Sequence, residues 1–216
     1  GSRPSDSAGN RTEAANIWEP LFSDSSYGYR PRRSGQQAIQ KVKEYAEEGY
    51  RYAVSVDLSK YFDTLNHELL MNLLHRKIQD MRVLRIIKKY LKSGVMENGV
   101  VSKTEEGSPQ GGPLSPLLAN IYLNEFDWKM HSRGVKTVRY ADDIVVFAKS
   151  KRAAERLLEF SRKYLEGKLK LKMNTEKSKV TSIFAVKEFK FLGFCIGKNG
   201  SGIYIRAHRK SLNKAK

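Results

Sequence analysis

Two adjacent aspartates, Asp142 and Asp143, interrupt the apolar run GVKTVRYADDIVVFA at the point where the chain must reverse. The flanking residues read as two strands joined by a tight turn, with both carboxylates at or beside its tip. Alone, such a pair is what many solvated turns contain, because Asp bonds its own backbone there. A third acid narrows the choice: Asp57 closes another apolar strand, Tyr50–Leu58. Buried sheets have little reason to end in acids unless the acids are used.

The segments around these strands fix an order. Ser34 caps a helix whose Ala38, Ile39, Val42, Tyr45 and Ala46 share a face, and Gly49 stops it. After the Asp57 strand, Asn66 caps a helix with Leu69, Leu70, Leu73, Leu74 and Ile78 inward, and another helix runs over Met81–Leu91. Asn98-Gly99 between short apolar runs predicts a hairpin, and Glu105–Pro113 a loop. Ser115-Pro116 reads as N-cap and first helical residue of a helix burying Leu117, Leu118, Ile121, Tyr122 and Phe126. A helix over Ser150–Glu166 and strands near Lys179–Phe184, Glu188–Ile196 and Gly202–Arg206 follow the aspartate hairpin. Setting aside the insertion after Leu58, the order is strand, helix, strand, strand, helix, strand. This is an α+β class chain, a ferredoxin-like βαββαβ antiparallel sheet with helices on one face.

Forty Lys and Arg against 23 Asp and Glu give a formal net charge of +17, a field that attracts polyanions such as nucleic acid. No apolar run approaches the roughly 20 residues of a spanning helix, so no membrane partner is expected. The single cysteine, Cys195, lies in the apolar FLGFCIG and allows no internal disulfide, which suits a reducing, cytoplasmic location. Four scattered histidines lack metal-ligand spacing.

Hard cations want oxygen ligands, and Asp57, Asp142 and Asp143 with the carbonyl of Leu58 form a donor set for two Mg²⁺ ions, with Mn²⁺ as a substitute. Gly111-Gly112 lets backbone approach a ligand, with the Gln110 amide beside it. Near the start, Tyr27 and Tyr29 alternate with Arg30, Arg32 and Arg33, a composition for stacking on bases and pairing with phosphates, and equally that of a solvated basic loop.

YGYRPRRSGQQAI, VSVDLSKYFDTLNHELL, GSPQGGPLSPLLANIYLNEFD, RYADDIVVFA, LKMNTEKSKV and FKFLGFCI, in that order, resemble the sequence blocks of bacterial group II intron reverse transcriptases of the maturase type. The resemblance implies a right-hand polymerase: a palm over 50–58 and 114–206, and partial fingers over 18–49 and 59–113. Residues 1–17 would be a loose terminus, and 207–216 a basic tail leading to a missing thumb. The basic N-terminal fingers segment is not recognisable upstream of Trp18, so a fragment is expected. By the same resemblance Asp57, Asp142 and Asp143 are catalytic. Leu58, Ser59, Lys60, Tyr61 and Phe62 cradle the incoming triphosphate, with Phe62 as a gate against the 2′-hydroxyl. Gln110 and Gly111 contact nucleotide and template. Lys177 protonates the leaving pyrophosphate, with Lys179 as a substitute. Phe191, Leu192, Gly193 and Phe194 grip the primer end. Tyr29, Arg30, Arg32 and Arg33 are candidates for RNA binding. The implied function is an RNA-directed DNA polymerase acting with an RNA template, group II intron RNA, a DNA primer and dNTPs, with self-association through surfaces left uncovered. Two rivals remain: an RNA-dependent RNA polymerase-like palm, against which Phe62 speaks, and an RNA-binding module. The module would present aromatics on an open sheet face and avoid three acids there.

Overall fold

Strands β1 (Tyr52–Val56), β2 (Lys136–Tyr140), β3 (Asp143–Ala148) and β4 (Lys179–Ser182) form a four-stranded sheet in the order β2-β3-β1-β4. This is a computed structural model, and it describes residues 13–93 and 114–208. Every neighbouring pair is antiparallel, which is the ferredoxin-like arrangement expected from the element order.

Alternation along the strands divides the core in two. Val54, Val56, Ile144 and Val146 join one cluster, while Ala53, Val138, Val145 and Phe147 join another. The first cluster lies under helices α4 (Ser115–Ser132) and α5 (Lys151–Gly167), with α2 (His67–His75) against α4 and α3 (Met81–Lys92) against α2. The second lies under α1 (Gly35–Glu47) and the hairpin of β5 (Phe194–Asn199) and β6 (Gly202–Ala207). The expectation of helices on one face is therefore corrected. Residues Ile144–Ala148 are buried in succession, and a strand apolar on both sides has to be covered on both.

Local signals fixed most helix starts. Ser34 and Gln37 form a capping box, Asn66 accepts from Leu69 N and Ser150 from Ala153 N. At α4 the cap lies one residue earlier, at Leu114, and Pro116 occupies the first turn. The Ser115 hydroxyl instead bonds Tyr90 Oη at 2.8 Å. The strand expected over Glu188–Ile196 starts only at Phe194, because Leu192 (φ +52°) and Gly193 (φ +80°) form a tight turn. The turn is closed by reciprocal bonds between Phe191 and Phe194. Ordered structure reaches further toward the start than expected: residues 13–18 are helical, and Ala14 and Trp18 insert into the first core cluster. Cys195 is buried, as its apolar surroundings imply. The hairpin around Asn98-Gly99 and the loop Glu105–Pro113 lie outside the described residues.

Candidate active site

Val56 and Ile144 form the last ladder pair between β1 and β3. One step beyond it, Asp57 and Asp143 stand at facing register positions, and Asp143 also pairs with Tyr140 of β2. Because side chains alternate, Asp57 and Asp143 fall on the α1 side of the sheet, with Tyr140. Ala141 and Asp142 make up the whole connection between β2 and β3. The three acids share one field: burial, then Asp142, then Asp57 push the Asp143 carboxyl up to about 6. They border one space without closing on a point, since among the described residues no group of three His, Cys, Asp or Glu side chains is drawn together as an ion-holding cluster.

The first acid is clamped by a segment far along the chain. Asp57 N–H donates to Ser178 Oγ at 2.9 Å, and the Asp57 carbonyl accepts from Ser178 Oγ at 3.2 Å and from Asn174 N at 2.8 Å. Ser59 N donates to Lys172 O at 2.9 Å, and Leu58 bridges Met173. In an extended chain successive amides point to opposite edges, so the carbonyl of Leu58 leaves from the edge away from Asn174 and Ser178. Asn174 Oδ1 accepts from Glu176 N and Lys177 N, forming the turn that presents Lys177 to solvent; Lys179 is exposed on β4. Ser178 and Asn174 were not singled out from the sequence. Their signal is the Asn four residues before a Ser in LKMNTEKSK, a short polar turn after alternating apolar residues.

Beyond Leu58 the chain turns through Lys60 (φ +47°) into a 3₁₀ turn, Tyr61–Asp63. Tyr61 is 2% exposed and its hydroxyl donates to Ala119 O at 2.7 Å, so this ring belongs to the core, as does Leu58. Burial raises the Tyr61 hydroxyl well above its ordinary range. Ser59, Lys60 and Phe62 reach the surface, and Phe62 sits edge-on to Tyr61 with centroids 5.4 Å apart.

The acidic turn is held from beneath. Ala141 adopts φ +56°, a conformation that costs a non-glycine residue about 1–2 kcal/mol. Its carbonyl accepts from Arg139 Nη1 at 2.7 Å. Gly28 packs on the preceding peptide, between Tyr140 and Ala141: a Cβ there would lie 2.7 Å from Ala141 N. Asn120 Nδ2 donates to Gly28 O at 2.8 Å, fixing that approach.

The basic loop 27–33 is thereby brought beside the turn, with Tyr29 and Tyr140 centroids 6.0 Å apart. Its cations differ in what they can do. Arg30 pairs with Glu19 at 3.0 Å and donates to the carbonyls of Ser23 and Ser26 at 2.9 and 2.8 Å. Arg33 donates to Ser26 O at 2.9 Å, pairs with Asp24 at 3.3 Å and lies over the Tyr27 ring. Both guanidiniums are engaged by residues 19–26, which hold the loop in place. Tyr29 is 58% exposed, and Arg32 is exposed beside it. The turn at Phe191–Phe194 lies close by. A methyl group on Gly35 would come within 3.3 Å of Leu192 Cδ1 and 3.9 Å of Tyr140 Cε2. Gln110 and Gly111 lie outside the described residues.

The sequence model of the reverse transcriptase (RNA-dependent DNA polymerase) family matches residues 10–196. Protein YkfC of Escherichia coli (strain K12) is 37% identical over 205 residues, covering 77% of this chain and 54% of that protein. The group II intron-encoded protein LtrA of Lactococcus lactis subsp. cremoris is 30% identical over 256 residues, covering 88% of this chain and 42% of LtrA. The chain thus spans about half the length of these curated relatives. Among solved structures, apo telomerase from Candida Tropicalis truncated from its C-terminal domain superposes with a TM-score of 0.67 at 14% identity, over 94% of this chain and 45% of that one. That last likeness is one of fold, an antiparallel sheet with helices packed on it.

Proposed function

Because the chain belongs to the reverse transcriptase (RNA-dependent DNA polymerase) family, with group II intron-encoded relatives, we propose that it is the core of an RNA-directed DNA polymerase that extends a DNA primer with dNTPs on an RNA template. The observation that carries this is the facing of Asp57 and Asp143 at adjacent strand ends, with Asp142 beside them.

Oxygen donors of this kind fit hard divalent cations, and Asp57, Asp142, Asp143 and the Leu58 carbonyl would hold them. Two Mg²⁺ ions, or Mn²⁺ in their place, would supply positive charge for the attacking and leaving oxygens of nucleotidyl transfer. Ser59 and Lys60 would receive the triphosphate with backbone and ammonium groups. The half-buried Phe62 would lie under the sugar and leave no room for a 2′-hydroxyl. The exposed Lys177 would give a proton to the departing pyrophosphate. Leu192 and Gly193 would seat the primer end beside Tyr140, and Tyr29 and Arg32 would contact RNA.

The binding-module alternative loses its platform, since both sheet faces are covered and base stacking on the sheet has no surface. Among the described residues no helix is long and apolar enough to cross a membrane. A single buried thiol suits the cytoplasm. Group II intron RNA is the further partner we assign to the whole protein, and self-association belongs to the same proposal.

Primer extension by the full-length protein, with an RNA template, dNTPs and Mg²⁺, tests the reading. Extension should be abolished by Asp143→Asn and by Asp57→Asn. Undiminished synthesis in either variant would refute the assignment.

A further inference from the structure

Arg139 is 0% exposed and none of the chemistry above requires it to touch a substrate. All five of its N–H groups are engaged. Nε and Nη2 donate to Asp127, itself 0% exposed, at 2.8–3.0 Å. Nη2 also reaches Ser26 Oγ at 3.0 Å, and Nη1 reaches Asn120 Oδ1 at 3.0 Å and Ala141 O at 2.7 Å. Its backbone pairs with the same loop: Arg139 N donates to Ser25 O, and Tyr27 N to Arg139 O, each at 2.8 Å. One planar fork therefore joins α4, the loop that carries Tyr29, and the acidic turn.

A buried ion pair is a weak source of stability, because desolvation offsets the attraction and an apolar pair often does as well. The fork supplies direction instead. A guanidinium donates along fixed lines in one plane, which an ammonium does not. By holding the Ala141 carbonyl, Arg139 sets the peptide plane between Ala141 and Asp142 and so the direction in which both aspartates leave the backbone. We infer that Arg139 is a positioning residue for the acidic turn, oriented by Asp127, and that it locks the Tyr29 loop to that turn. The inference rests on the reading of Asp142 and Asp143 as divalent-ion ligands.

Two variants separate positioning from stability. Arg139→Lys keeps the charge beside Asp127 but cannot span Ser26, Asn120 and Ala141 together. The double variant Asp127→Leu with Arg139→Met removes both charges and guards against a single change that fails to fold. Each is compared with the wild-type chain by thermal melting, by amide hydrogen exchange at 140–144, and by Mn²⁺ affinity from electron paramagnetic resonance. Cooperative melting should persist, exchange in the turn should accelerate, and Mn²⁺ affinity should fall on the order of 10–100-fold, as for other groups that orient metal ligands. Unchanged turn exchange and unchanged Mn²⁺ affinity in a variant that melts cooperatively overturn the inference. If wild-type Mn²⁺ binding is absent, or indifferent to Asp143→Asn, the metal reading is what falls. Turn exchange then decides for Arg139 by itself: faster supports positioning, unchanged rejects it.

Discussion

Ser178 Oγ accepts the Asp57 amide proton at 2.9 Å and donates to the Asp57 carbonyl at 3.2 Å, so a hydroxyl 121 residues away in sequence fixes the strand-end acid. Ser178→Ala should lower stability by about 1 kcal/mol, the usual value of such a bond. Primer extension should lose kcat with little change in KM for dNTP, because the acid is displaced while the nucleotide cradle remains. Urea unfolding and steady-state kinetics measure the two effects. Wild-type kcat in the variant would show that the backbone of Asp57 needs no such anchor.

Burial and then the carboxylates of Asp142 and Asp57 push the Asp143 carboxyl from an ordinary 3.8 up to about 6 in the fold. Its folded form holds a proton that the unfolded chain releases, so without divalent cations stability falls as pH rises from about 4 to about 6. Asp143→Asn removes that dependence. The variant should therefore melt higher than wild type at pH 7 in chelator, and the gap should close below pH 4. In wild type, Mg²⁺ or Mn²⁺ should raise the melting temperature above pH 6 and lose its effect as the carboxyl protonates. A wild-type-minus-variant difference flat across this range would contradict the coupling of Asp57, Asp142 and Asp143.

Tyr61 and Phe62 are neighbours in different surroundings, the first buried and the second half-buried. Tyr61→Phe removes the hydroxyl bonded to Ala119 O and should cost about 1–2 kcal/mol without altering the choice of sugar. Phe62→Ala should raise ribonucleotide incorporation relative to deoxynucleotide, read as the ratio of the two kcat/KM values. Were Tyr61→Phe the variant that relaxed sugar choice, the gate would have been assigned to the wrong ring.

Arg30 and Arg32 should respond differently to truncation. Arg30→Ala breaks an ion pair and two bonds to carbonyls and should destabilise by roughly 1.5–3 kcal/mol. Arg32→Ala should leave the melt unchanged, weaken RNA binding, and reduce the slope of log K against log salt by about 1. Equal RNA affinity in wild type and Arg32→Ala would remove that residue from the interface.

Much of this was legible in the chain. Caps at Ser34, Asn66 and Ser150 are local chemistry, and the apolar alternation around Asp57 and Asp143 marks the strands whose adjacent ends carry the acids. What stayed hidden depended on distant partners. That the Arg30 side chain is largely covered while Arg32 is exposed follows from Glu19 and the carbonyls of Ser23 and Ser26, which composition does not reveal. The expectation for Glu188–Ile196 failed because Leu192 takes a left-handed conformation that a leucine does not advertise. Arg139 looks like any charged residue in a strand until Asp127, a turn deep in α4, is found beneath it.

The strand order has a consequence for synthesis on the ribosome. β1 lies between β3 and β4, both of which are translated long after it. Until residues 143–148 and 179–182 emerge, Tyr52–Val56 has two unpaired edges, and its apolar sides lack the neighbouring strands that complete the two core clusters. The nascent N-terminal half is thus the stage at which this chain is most prone to sticking to its neighbours, and the stage at which a chaperone has most to do.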